Sequence, residues 1–147
     1  IANFLDLKDR FVVSTNTGTA ALHIALRAAG IGSGDEVITP SFNYVADQQA
    51  IKMTGADVVM CDIQDDNLGI DWKKAEKLIS DKTKAIMPLH FAGIPCEQKK
   101  VYDMAQKYDL RVIEDSTHAF GTTVNNKKIG PGLIKKPNDS KRTPIKK

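Results

Sequence analysis

No apolar run in the 147 residues approaches membrane-spanning length, and nothing at the start resembles a signal peptide. The first absence excludes a helical membrane protein, and the two together predict a cytoplasmic location. Cysteine is scarce. Cys61 and Cys96 stand far apart, in neither a metal-binding nor a redox spacing, so no metal centre is expected and both should be reduced thiols. Internal repeats are missing. So is a basic face, although the formal net charge is +3. Residues 131–147 carry six cations against Asp139, a net of +5, which leaves residues 1–130 at −2. The basic character belongs to the end of the chain, and nucleic acid is not an expected partner. The first residue is Ile1 rather than Met, so the natural start is expected to lie elsewhere.

What is present suits one domain of ordinary size. Hydrophobic residues make up 41%, which is compatible with a packed core. The stretch Ser14–Gly30 reads as a polar turn followed by a helix with almost no polar face, which should be buried. Its first turn opens with Thr17, Gly18 and Thr19. Free N–H groups and a partial positive charge at a helix start suit a phosphate. Ordinary N-capping by Thr17 or Thr19 explains the same residues without any ligand. The turn has neither the dinucleotide nor the P-loop glycine pattern, which argues against an unrelated phosphate-binding domain of those kinds.

The remaining chain alternates between short apolar runs and helical patterns. Strands are expected at Phe11–Val13, Glu36–Thr39, Asp57–Cys61, Lys84–Leu89 and Arg111–Glu114. Helices are expected over part of Ile1–Arg10, and at Gly18–Ala29, Phe42–Met53, Asp71–Ile79 and Glu97–Tyr108. The alternation predicts an α/β fold of three layers, a mainly parallel sheet with helices on both faces. Val124–Ile129 reads as a small hairpin around Asn125-Asn126. The proline- and lysine-rich run at 131–147 reads as a disordered tail, separate from a domain at 1–130.

In such sheets ligands bind at the carboxyl ends of the strands. The residues there are Thr17-Gly18-Thr19, Ser41-Phe42-Asn43-Tyr44, His90-Phe91 and Asp115-Ser116-Thr117-His118. Together they offer a phosphate cradle, an aromatic ring, a carboxylate and two imidazoles. A structural reading stands beside each. Tyr44 fits a core, His90 fits a hydrogen bond to a backbone carbonyl, and Asp115 fits a turn cap.

Four blocks in order carry a resemblance. They are Thr17–Leu22 (TGTAAL), Val37–Val45 (VITPSFNYV), Thr83–His90 (TKAIMPLH) and Val112–Ala119 (VIEDSTHA). Over about Phe11–Gly130 the chain resembles the pyridoxal-phosphate-dependent nucleotide-sugar aminotransferases of the DegT/DnrJ/EryC1/StrS type. His118-Ala119 is closest in look to the branch that makes 4-amino-4-deoxy-arabinose. The resemblance implies part of the large domain of a fold-type I enzyme, with pyridoxal 5′-phosphate as cofactor. Gly18, Thr19 and Ala20 would hold the phosphate, and Tyr44 would stack on the pyridine ring. Asp115 would pair with the ring nitrogen, and His118 would lie beside the cofactor.

The implied activity is transfer of an amino group from an amino acid, glutamate by preference, to a nucleotide-linked keto sugar in making cell-surface polysaccharide or amino sugars. A dehydratase on the same fold and a non-catalytic remnant are the alternatives. The family also works as homodimers, and it needs a cofactor-bonding lysine in a Phe-Ser-Phe type segment just past the position of Gly130. The chain has Lys135, Lys136, Lys141, Lys146 and Lys147 there without apolar surroundings, so no catalytic lysine is identified. A chain cut within the large domain, self-associating or dependent on another chain, is the expectation.

Overall fold

Short β-branched runs bounded by turn residues form a parallel sheet in the computed structural model, which describes residues 1–7 and 11–130. The strands are β1 (Glu36–Pro40), β2 (Asp57–Cys61), β3 (Thr83–Ile86) and β4 (Arg111–Val112), in the spatial order β2-β1-β3-β4. All three pairings are parallel. Helices α1 (Gly18–Ala28), α2 (Ala46–Met53), α3 (Trp72–Lys77) and α4 (Gln98–Lys107) lie between or beside them in the chain.

Successive strand residues point to opposite faces, and the sheet uses both. Val37 and Ala85 face one way, into a cluster with Leu22 and Leu26 of α1 and Ala50 and Ile51 of α2. Ile38 and Ile86 face the other way, into a cluster with Ala75 of α3 and Val101, Met104 and Ala105 of α4. Two separate cores on one sheet make the three layers, and they explain why the strands show no polar alternation. Each fully buried Ile or Val contributes roughly 1.5–3 kcal/mol by leaving water.

The element ends follow local chemistry. Gly30, at φ 85°, closes α1. Its N–H donates to Arg27 O at 3.0 Å, and Ile31 N–H donates to Leu26 O at 3.1 Å. That paired arrangement satisfies two carbonyls of the last turn and packs Ile31 with Leu26 in the same cluster. Asp71 caps α3, accepting from Lys73 N and Lys74 N. The hairpin forms as expected, with β5 (Thr123–Val124) antiparallel to β6 (Lys127–Lys128). Asn125 and Asn126 both take positive φ, as a two-residue turn of this kind requires.

Several expectations are corrected. Phe11–Val13 is not a strand. It pairs with nothing in the sheet, and Phe11 is 98% exposed. Residues 2–6 form turns rather than the end of a helix, and Asp6 sits at φ 53°, which ends any helical run. Lys8–Arg10 lie outside the described residues, as does the expected tail at 131–147. Helix α1 is not buried all round. Only Leu22 and Leu26 are, because just one stripe meets α2 and the sheet, and Ile24 is 52% exposed. Helix α2 starts at Ala46, after a bend at 41–43, not at Phe42. In α3 Ala75 alone is buried, and Leu78 just beyond it is largely exposed. Tyr108, just past the end of α4, reaches out to donate to Glu76 Oε1 at 3.0 Å.

Candidate functional site

A cavity of about 420 Å³ opens at the carboxyl edge of the sheet. That volume lies within the usual range of small-molecule sites, roughly 300–1,000 Å³. Four chain segments meet there, and each is set by an element behind it. The start of α1 brings Gly18 and Thr19, the loop after β1 brings Asn43 and Tyr44, the segment after β3 brings Leu89 and Phe91, and the segment after β4 brings Asp115, Thr117 and His118.

The α1 start is a capped N-terminus. Thr17 Oγ1 accepts from Ala20 N at 3.1 Å, and Thr17 O accepts from Ala21 N at 3.1 Å. Gly18 and Thr19 N–H have no acceptor within a helix of this geometry, and both residues line the cavity. Ala20 is not on the lining, and its N–H is held by Thr17. The capping expectation for this turn is met by Thr17, and the next two N–H groups carry no hydrogen bond within the helix.

Asp115 is placed by the sheet. The β3–β4 ladder continues past its regular strands, with Asp115 N donating to Pro88 O at 2.9 Å and His90 N donating to Asp115 O at 3.1 Å. The side chain is then fixed from its own loop. Oδ1 accepts from Thr117 N at 2.9 Å and from Thr117 Oγ1 at 2.5 Å. The residue is buried yet on the cavity wall. The expected turn-cap role is real, and it commits Oδ1.

Tyr44 lines the mouth of the cavity with its ring 77% exposed, so it is not a core residue. Phe91 beside it contacts Phe42, with ring centroids 5.0 Å apart. His118 is an exposed lining residue, and its carbonyl lies 3.1 Å from where a Cβ on Gly93 would stand. His90 does not reach the cavity. It is fully buried, its Nδ1 accepts from Cys96 N at 3.3 Å, and its Nε2 lies 3.7 Å from Glu114 Oε2. Cys61 and Cys96 are free and buried, and burial pushes the thiols up to about 11 and about 12.

One residue of this region escaped sequence reasoning. Asp47 of α2 is fully buried, directly behind the lining residue Ala46. Its Oδ2 accepts from Asn43 Nδ2 at 2.6 Å and from Thr39 Oγ1 at 3.4 Å. Burial pushes its carboxyl up to about 8, and the like charge of Asp115 adds to the rise. The signal was available. Asp47 shares a helical stripe with Ala50, Ile51 and Thr54, all buried, and an acid in such a stripe needs a partner.

The donor set suits a compound with an anionic group at one end and a protonated nitrogen at the other. Helix N–H groups suit the anion, and a fixed carboxylate suits the cation. Comparison with known proteins points the same way. A DegT/DnrJ/EryC1/StrS aminotransferase family profile matches residues 1–133. The aminotransferase of Psychrobacter cryohalolentis is similar at 34% identity and a TM-score of 0.83, over 88% of this chain and 32% of its own. DesV of S. venezuelae, solved with a ketimine intermediate, is 35% identical with a TM-score of 0.76, over 80% of this chain and 32% of its own. NtdA of Bacillus subtilis, solved with bound PMP, is 33% identical with a TM-score of 0.76, over 82% of this chain and 29% of its own. The chain thus spans about a third of the length of these solved relatives. By its profile, its parallel sheet and its topology, the chain belongs to the DegT/DnrJ/EryC1/StrS aminotransferase family.

Proposed function

We propose that residues 1–130 form the cofactor-holding part of a pyridoxal-phosphate-dependent sugar aminotransferase. The observation that carries this is the convergence of a free helix N-terminus and a loop-fixed carboxylate on one cavity. Gly18 and Thr19 N–H would take the phosphate. Ala20, given the same role by resemblance, has its N–H held by Thr17, so the cradle rests on the first two. Asp115 would hold a proton on the ring nitrogen, Tyr44 would cover a ring face, and His118 would lie at the ring's edge. When bound, pyridoxal phosphate supplies the electron sink that amino transfer needs. The protein's part is to bind the phosphate, keep the nitrogen charged and exclude water from one face.

The reaction proposed for the whole protein moves an amino group from an amino acid, glutamate by preference, to a nucleotide-linked keto sugar. The 4-amino-4-deoxy-arabinose branch is a finer proposal, resting on His118-Ala119 alone. Assembly as a homodimer is proposed too, supported by large apolar residues exposed around the cavity mouth, among them Phe42, Tyr44 and Val45. No lysine lines the cavity among the described residues, so the cofactor-bonding group is not assigned.

Pyridoxamine 5′-phosphate needs no such lysine and is the suitable probe. Equilibrium dialysis against the full chain should show one saturable site, weakened tenfold or more by Asp115→Asn and displaced by inorganic phosphate. Absence of saturable binding, or equal binding by Asp115→Asn, overturns the reading.

A further inference from the structure

The cavity wall carries the carboxyl of Asp115, and a second carboxyl, that of the fully buried Asp47, acts on it, where the family reading assigns a role to one. Asp47 is buried next in the chain to the lining residue Ala46, and Asp115 acts on its carboxyl as a like charge and as a hydrogen-bonding partner. The oxygens of Asp47 are not equivalent. Oδ2 accepts from Asn43 and Thr39, whereas Oδ1 is buried with no donor in reach. A carboxylate with a bare buried oxygen beside another carboxylate is costly, and a proton on that oxygen removes the cost by supplying a donor. The groups packed around Asp47 leave no other source of relief. Strand β1 offers Thr39, the loop before α2 offers Asn43, and the loop after β4 offers Asp115. Helix α1 meets α2 through Leu22 and Leu26. Among the described residues no cation acts on the carboxyl.

We propose that Asp47 is a positioning residue, a neutral acid that donates from Oδ1 to the Asp115 carboxylate and so gives the pair one negative charge, aimed at the cavity. Thr117 holds Oδ1 of Asp115 from one side, and Asp47 holds the carboxylate from behind. Three donors, two from Thr117 and one from Asp47, leave one lone-pair direction open and fix the side chain better than either residue alone. The two carboxyls then act as a unit that shares a proton. The inference rests on the preceding reading only for what Asp115 faces. The pair itself is a property of this chain without any ligand.

The test uses the full chain labelled with ¹³C at the aspartate carboxyls and titrated from pH 4 to 10 by NMR, assigned with Asp47→Asn. The Asp47 signal should titrate far above every other aspartate, and Asp115→Asn should raise its acid dissociation constant tenfold or more. Titration of Asp47 below pH 6, or no change in Asp115→Asn, overturns the proposal. Pyridoxamine 5′-phosphate binding gives a second readout. Asp47→Asn, whose amide still donates, should bind within threefold of the parent chain, and Asp47→Leu at least tenfold more weakly. Equal binding by all three overturns the positioning role. A parent chain that binds no ligand while the carboxyl pair titrates as stated overturns the cofactor reading and upholds the pair.

Discussion

Replacing Asp47 by asparagine should flatten the pH dependence of stability between about pH 5 and 8. In the folded chain burial and Asp115 push the carboxyl from 3.8 up to about 8. The folded state therefore binds this proton more tightly than the unfolded state. Below about pH 4 both states hold it and nothing is lost. As pH rises from 4 to 8 the unfolded chain gives the proton up first, so stability falls with pH. One extra bound proton is worth about 1.4 kcal/mol per pH unit, or about 4 kcal/mol between pH 5 and 8. That is a large share of an ordinary domain's stability of about 5–15 kcal/mol. Other shifted groups act elsewhere. Glu114, lowered overall although burial opposes it, matters below its ordinary range, and the two thiols matter above about pH 9. Urea denaturation at four pH values reads the effect. The stability of Asp47→Asn relative to the parent should improve by a few kcal/mol from pH 5 to 8. Parallel curves would refute the buried, protonated state of Asp47.

Gly55→Ala should cost roughly 1–2 kcal/mol in the same assay, because its φ is +90° and a Cβ would stand 2.5 Å from Ser33 Oγ. Phe11→Ala, at a 98% exposed position, should change stability by less than about 0.5 kcal/mol. Iodoacetamide at pH 8 should modify Cys61 and Cys96 slowly in the native chain and rapidly in urea, since both thiols are buried and held protonated. Borohydride reduction with pyridoxal phosphate should give scattered, incomplete labelling by mass mapping, because no described lysine lines the cavity.

Sequence legibility depended on how local each signal was. The strand at Glu36–Pro40 was plain because both faces of the sheet are covered at Val37 and Ile38, and Asp57–Cys61, at the sheet edge with Met60 60% exposed, was plain from its short Val58-Val59 run. The Asn125-Asn126 turn and the Gly30 stop were plain because their residues select positive φ. Phe11–Val13 has strand composition but no partner strand, a fact that only tertiary structure supplies. The apolar surface of α1 overstated its burial, because alanine is as much a helix former as a core residue. Strand-end logic gathered Gly18, Thr19, Tyr44, Asp115 and His118 at one edge, where the cavity lies. It also gathered His90, whose ring turns away toward Cys96 and Glu114. Asp47 was legible as an acid in an apolar stripe, but its partner Asp115, 68 positions later in the chain, was not.

The protonation state of a bound ring nitrogen tests the account most directly. Pyridoxamine 5′-phosphate labelled with ¹⁵N in the ring can be followed by NMR on the full chain. The account predicts a pyridinium-type shift that persists well above the pH at which the free compound loses that proton, and its loss in Asp115→Asn. A neutral ring nitrogen in the bound compound, or a pyridinium shift indifferent to Asp115→Asn, would contradict it.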